Sequence, residues 1–233
     1  MFGKMTTSVT TMRDSLAKKR VRVRARGIKE VVQESVGRIR GEIRSDDELL
    51  FLVRDAAWTG KTQRKTDEPL RLARATGDDA DDYEIFVGTD SARTFARRLS
   101  RDTDCWLIRG RGMILHATWT TSGAAWTGEI RRFFVAPPQA AYIYESFTRP
   151  DARGLGLYPM ALSGIGDALA ADGIERLFVG VEVDNAPSLR AITKAGFQPA
   201  FSVTFHRRFG RLTVDEATGP LAELARDILQ PNA

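Results

Sequence analysis

The chain has 233 residues, 42% hydrophobic and 28% charged, enough for one large domain or a domain with an extension, and its single cysteine, Cys105, excludes an internal disulfide. No apolar run approaches the roughly 20 residues of a membrane span, and the first forty residues are polar and basic rather than signal-like, so a cytoplasmic protein with no membrane partner is expected. The net charge of +5 is uneven: residues 1–44 carry +8 and the remainder −3, which places the basic character in the N-terminal segment.

That segment alternates through Arg20-Val21-Arg22-Val23-Arg24-Ala25-Arg26, a period that puts the arginines on one face of a strand. Ile28, Val31, Val32, Val36, Ile39 and Ile43 then recur at helical spacing. The charge suits an anionic partner, but no nucleic-acid-binding motif accompanies it, so nucleic acid is not expected. Residues 47–53 read as a short apolar strand or a buried helical turn, and residues 59–68 as a polar linker. Gly60-Lys61-Thr62 resembles the end of a nucleotide-binding loop, yet Asp55 stands where the first glycine is required. Residues 70–73 read as a strand, 78–82 as an acidic turn, and Thr89-Asp90-Ser91 as the cap of a helix to about residue 99. Residues 106–108 and 113–119 form a hairpin about Arg109-Gly110-Arg111-Gly112, and 140–148 a tyrosine-rich strand. A helix over 157–171, a strand over 177–183, a helix from Pro187 to about 194 and a last strand over 201–208 complete an α/β (α+β) pattern.

The densest chemical signal lies between the tyrosine-rich strand and the helix that follows, in Thr148-Arg149-Pro150-Asp151-Ala152-Arg153-Gly154-Leu155-Gly156-Leu157-Tyr158. Glycines let backbone N–H groups approach a ligand, and a helix start adds free N–H groups and a positive dipole end, a setting suited to a pyrophosphate. A tight turn without a ligand is the alternative. A dinucleotide site wants a third glycine where Pro159 stands.

This run resembles the acyl-coenzyme A loop of the GNAT superfamily of N-acetyltransferases, in which Arg or Gln, two residues, Gly, one residue and a small residue follow in order. Arg153 and Gly156 match, and Tyr158 departs from the small last position. Asn185-Ala186-Pro187-Ser188, then Lys194-Ala195-Gly196-Phe197, resembles a second motif of that family. The likeness covers about residues 68–210. It implies a mixed, mostly antiparallel central sheet flanked by helices, with two strands that splay apart around the pantetheine arm. It further implies that Phe147 and Thr148 lie along that arm, that Arg153, Gly154, Leu155, Gly156, Leu157 and Tyr158 hold the pyrophosphate, and that Asn185 and Ser188 border the coenzyme. The co-substrate expected is acetyl-CoA or another acyl-CoA, with no metal, and the other partner is a small-molecule amine; a homodimer stays open. Three units follow: a basic extension over 1–67, the acyltransferase-like domain over 68–212 and a helical tail over 213–233.

Transfer to an amine requires the ammonium to lose a proton, an oxyanion to be stabilised and a thiolate to leave. In a regular strand Tyr142, Tyr144, Ser146 and Thr148 share one face and Ile143, Glu145 and Phe147 the other. Tyr142, Tyr144 and Glu145 are the catalytic candidates, with Glu145 the better base, turned into the site by a β-bulge of the kind the family carries there. The family's usual acid position, two residues before Lys194, holds Ile192, and Tyr158 is the substitute at hand. Glu182 and Asp184 suit a cationic acceptor, and His116 reads as a structural hydrogen-bonder. A domain that binds coenzyme A as a sensor or scaffold without turnover is the alternative reading.

Overall fold

The computed structural model describes residues 44–60 and 69–231. The arginine strand and the helix expected over residues 28–43 lie outside the described residues. Eleven strands are described: β1 (Arg44–Asp55), β2 (Arg71–Arg74), β3 (Thr103–Gly110), β4 (Met113–Thr121), β5 (Ala124–Thr127), β6 (Arg132–Val135), β7 (Ala140–Thr148), β8 (Arg176–Glu182), β9 (Gln198–Arg208), β10 (Arg211–Val214) and β11 (Leu229–Pro231). The α-helices described are α1 (Ala80–Val87), α2 (Ala92–Arg98), α3 (Leu157–Ala171), α4 (Ala186–Lys194) and α5 (Ala222–Ile228). None is long and apolar enough to cross a membrane.

Eight strands form one sheet in the order β10-β9-β1-β8-β7-β4-β3-β2, and β11-β6-β5 form a smaller one. Within the large sheet only β7 and β8 run parallel. Strand β1 lies inside it, between β9 and β8, rather than in a separate extension over 1–67. Leu49, Phe51 and Leu52 are buried there, which gives the strand an apolar reason to be central.

The sheet separates the core into two faces. Against one lie α3 and α4, with Ile143, Val179, Leu162, Ile165 and Phe197 buried between. On the other, Phe51, Tyr142, Phe178 and Phe201 meet Phe134 of the small sheet and Ile228 of α5, so the expected helical tail is a helix between strands packed into the core. Helices α1 and α2 cover β3 and β4 through Tyr83, Phe95 and Trp119.

Parallel pairing of β7 with β8 runs only from Ala140↔Arg176 to Ile143↔Val179. Beyond it β7 continues with β4, and β8 continues with β1, so a wedge opens between them. Strand β7 also carries a bulge. Ala117 pairs with Phe147 and Trp119 with Tyr144, so Glu145 and Ser146 together oppose Thr118, and Glu145 takes a left-handed φ of 48°. The extra residue corrects the expected alternation. Ser146 and Thr148 turn to the face of Ile143, away from Tyr142 and Tyr144, while Phe147 stacks edge-on against Phe86 under α1.

Candidate functional site

The loop after β7 folds as glycine demands. A short 3-10 turn (Pro150–Ala152) leads to Gly154 and Gly156 at φ of 83° and 79°, a region where a side chain is strained. Gly156 is the N-cap of α3 and supplies no side-chain cap. Among the described residues no backbone group takes up the N–H of Leu155, Gly156, Leu157 or Tyr158. At the facing helix, Asn185 caps α4 by accepting from the Ser188 N–H at 3.3 Å.

Between the two helix starts and the free edge of β7 lies a cleft of about 900 Å³. Phe147, Thr148, Arg153, Gly154, Gly156, Leu157, Tyr158, Asn185 and Ser188 all line it, whereas Leu155 does not and is instead packed against the core. Arg153, Arg190 and Lys194 bring positive charge to the walls. Arg190 carries no motif of its own and reaches the cleft because it stands one helical turn before Lys194. Free backbone donors with cations around them fit a diphosphate, so this donor set suits the head of coenzyme A.

The cleft floor is polar, with His116 and Thr118 buried beneath half-buried Thr148 and Tyr158 and exposed Ser146. His116, with no exposed surface, faces Thr148 Oγ1 through Nδ1 and Thr118 Oγ1 through Nε2, both at 2.7 Å. Burial holds its pKa down at about 3, so the ring is neutral. Tyr158, by burial against a contact to Ser146, is pushed up to about 12. No sequence signal identifies this network, because its members come from β4, β7 and α3 and meet only through sheet register.

The catalytic candidates lie beyond the splay. Tyr142 is 4% exposed and stacks on Phe134 at 4.0 Å, and burial raises its phenol pKa. Tyr144 is half-buried beside the Arg98 guanidinium, and burial again raises it. Glu145 is exposed and accepts from Arg98 at 2.7 Å, while Arg98 also donates to Asp90 at 2.8 Å. Glu182 projects from β8 on the face of Gly180, which looks onto the Tyr142 hydroxyl. Burial, then Glu129, Asp184 and Asp47, raise the Glu182 carboxyl above the ordinary carboxylate range. Cys105 is fully buried, and burial raises its thiol.

The profile of the acetyltransferase (GNAT) family matches residues 79–197. No curated protein sequence matches the chain. Among solved structures, a GCN5-related N-acetyltransferase from Sphaerobacter thermophilus is similar with a TM-score of 0.54 at 10% identity, over 76% of this chain and 56% of that one. An acetyltransferase from the GNAT family of Colwellia psychrerythraea has a TM-score of 0.47 at 13% identity, over 75% and 60%. The chain thus spans between 56% and 60% of the length of these structures, and the first of them shares its fold.

Proposed function

The chain belongs to the acetyltransferase (GNAT) family, and on that premise we propose that it passes an acetyl group from acetyl-CoA to the primary amine of a small molecule by direct attack on the thioester. The observation that carries this reading is the cleft at the β7–β8 splay, with the backbone donors of residues 155–158 at its end. Arg153, Gly154, Gly156, Leu157 and Tyr158 are assigned to the diphosphate, and the backbone of Phe147 and Thr148 to the pantetheine arm. Asn185 and Ser188 form the opposite wall. The wedge beyond Ile143 and Val179 gives the acyl end a way toward the other face.

On that face the amine nitrogen attacks the carbonyl carbon, the C–N bond forms and the C–S bond breaks. A backbone N–H freed from pairing at the bulge suits the oxyanion. Glu182, with Asp47, Glu129 and Asp184 about it, supports a cationic acceptor. Of the three candidate bases Glu145 alone has an exposed side chain, and Arg98 has a second carboxylate, Asp90, to hold when Glu145 takes a proton. Tyr144 is assigned a contact to the acceptor, and Tyr142 a wall of the site.

The test is thiol release from acetyl-CoA in the presence of a panel of primary amines. Release that depends on the amine supports transfer. Coenzyme A binding without release with any amine favours the sensor reading, which Ile192, buried at the usual acid position, keeps in view.

A further inference from the structure

On the floor of the cleft four polar side chains follow one another through hydrogen bonds, and Tyr158 stands at their end. The Thr148 hydroxyl meets His116 Nδ1 at 2.7 Å, His116 Nε2 meets the Thr118 hydroxyl at 2.7 Å, and Thr118 donates to Ser146 Oγ at 3.1 Å. The Ser146 side chain in turn reaches the Tyr158 hydroxyl. Thr118 has one hydroxyl proton and gives it to Ser146, so it accepts from His116 Nε2–H. Nδ1 is then left to accept from Thr148. Every donor points the same way, from half-buried Thr148 toward Tyr158. A wholly buried neutral imidazole conducts a proton in that direction by accepting at Nδ1 as it releases from Nε2. The Tyr158 ring, at the start of α3, lies 5.5 Å from the His116 ring and lines the same cleft as Ser146 of the bulge.

We infer that Tyr158 is the proton donor to the coenzyme A sulfur as the thioester breaks, fed through Ser146, Thr118, His116 and Thr148. This inference rests on the acyl-CoA reading of the cleft. The electron pair of the C–S bond stays on sulfur, and the Tyr158 hydroxyl proton goes to it. The Ser146 proton moves to the Tyr158 oxygen, the Thr118 proton to Ser146, the Nε2 proton of His116 to Thr118, and the Thr148 proton to Nδ1. Solvent, to which Glu145 passes the proton shed by the amine, restores Thr148. Tyr158 is the catalytic residue of the series, and the other four act through it as positioning residues. A tyrosine where the family loop ends on a small residue thereby supplies the acid that Ile192 lacks.

The test follows the thiol of bound coenzyme A by the ultraviolet absorbance of its thiolate as pH rises, using the full chain, with dissociation constants from calorimetry. In the wild type the bound thiol ionises at lower pH than free coenzyme A, because Tyr158 donates to the thiolate. Tyr158→Phe gives about tenfold less thiolate at the same pH, and lowers kcat with acetyl-CoA by about tenfold or more, at a dissociation constant within about twofold. Ser146→Ala, which cuts the series and spares Tyr158, leaves the thiol titration near the wild-type position while kcat still falls. Identical thiol titrations in wild type and Tyr158→Phe overturn the assignment. Failure of the wild type to bind coenzyme A overturns the cleft reading instead.

Discussion

His116 and His206, the two histidines of the chain, sit in opposite settings. His116 is sealed under the cleft and held neutral by burial, whereas His206 is flanked by carboxylates, Asp46 at 2.6 Å from Nδ1 and Asp215 at 3.0 Å from Nε2, which raise its pKa. The linkage signs are opposite. The His206 contribution is fully present below its ordinary pKa of 6.5 and lost as pH rises through the raised value. The His116 contribution is unfavourable in acid, since the unfolded chain binds a proton below about 6.5 that the folded one refuses down to about 3. Nuclear magnetic resonance of the ring protons is expected to show one histidine flat between about pH 5 and 8 and the other titrating above the ordinary value. Arg54 offers a second residue-scale test. It is 5% exposed and donates to the carbonyls of Leu162 at 2.9 Å and Ala195 at 2.6 Å, tying α3 to α4. Arg54→Met leaves both acceptors buried, and urea unfolding is expected to show a loss of about 3 kcal/mol. Gly154 and Gly156 were legible from sequence because a left-handed φ selects glycine. The partners of Arg54 and the Thr148 partner of His116 are not, because they are supplied by residues more than thirty positions away.

Among the elements, β7 carries the proposed chemistry, and its bulge, expected at Glu145 from the family likeness, has no signature in the residues themselves. Both ends of β7 and of α3 follow from the period-two tyrosines and the Gly-bounded apolar stretch, but the bulge depends on how β4 pairs with β7. One extra residue at Glu145 reverses which side chains face the cleft. Because φ there is 48°, Glu145→Gly is expected to hold the melting temperature near that of the wild type despite losing the Arg98 ion pair. Glu145→Val is expected to destabilise by about 1–2 kcal/mol, read by the same unfolding curves. A bulge that was merely incidental would show no difference between the two. Elsewhere the acidic turn expected at 78–82 is a helix start. Thr76 and Asp79 form a reciprocal capping box, so the acidic residues fill the first turns of the 3-10 segment and α1. Strands β5 and β6, four residues each, were too short to give a period.

For the whole molecule, the family motifs marked one side of the sheet and said nothing of the other. The likeness located the cleft, yet β1 joins the sheet from outside the stretch it covered, and the small sheet with α5 closes the far face. Long-range pairing of this kind has no local signature, which is why the boundary at 67 fell after a strand that belongs inside. A ligand seated on β7, α3 and α4 together couples elements far apart in the chain. At a concentration of about 100 times its dissociation constant, coenzyme A is expected to stabilise the fold by about 2.7 kcal/mol, read as a raised melting temperature. The most direct test is calorimetric titration of coenzyme A into the wild type and into Gly156→Glu, which sets a strained, negatively charged side chain among the backbone donors proposed for the diphosphate. Saturable binding by the wild type that Gly156→Glu abolishes is the expected result; equal dissociation constants for the two proteins would contradict the account.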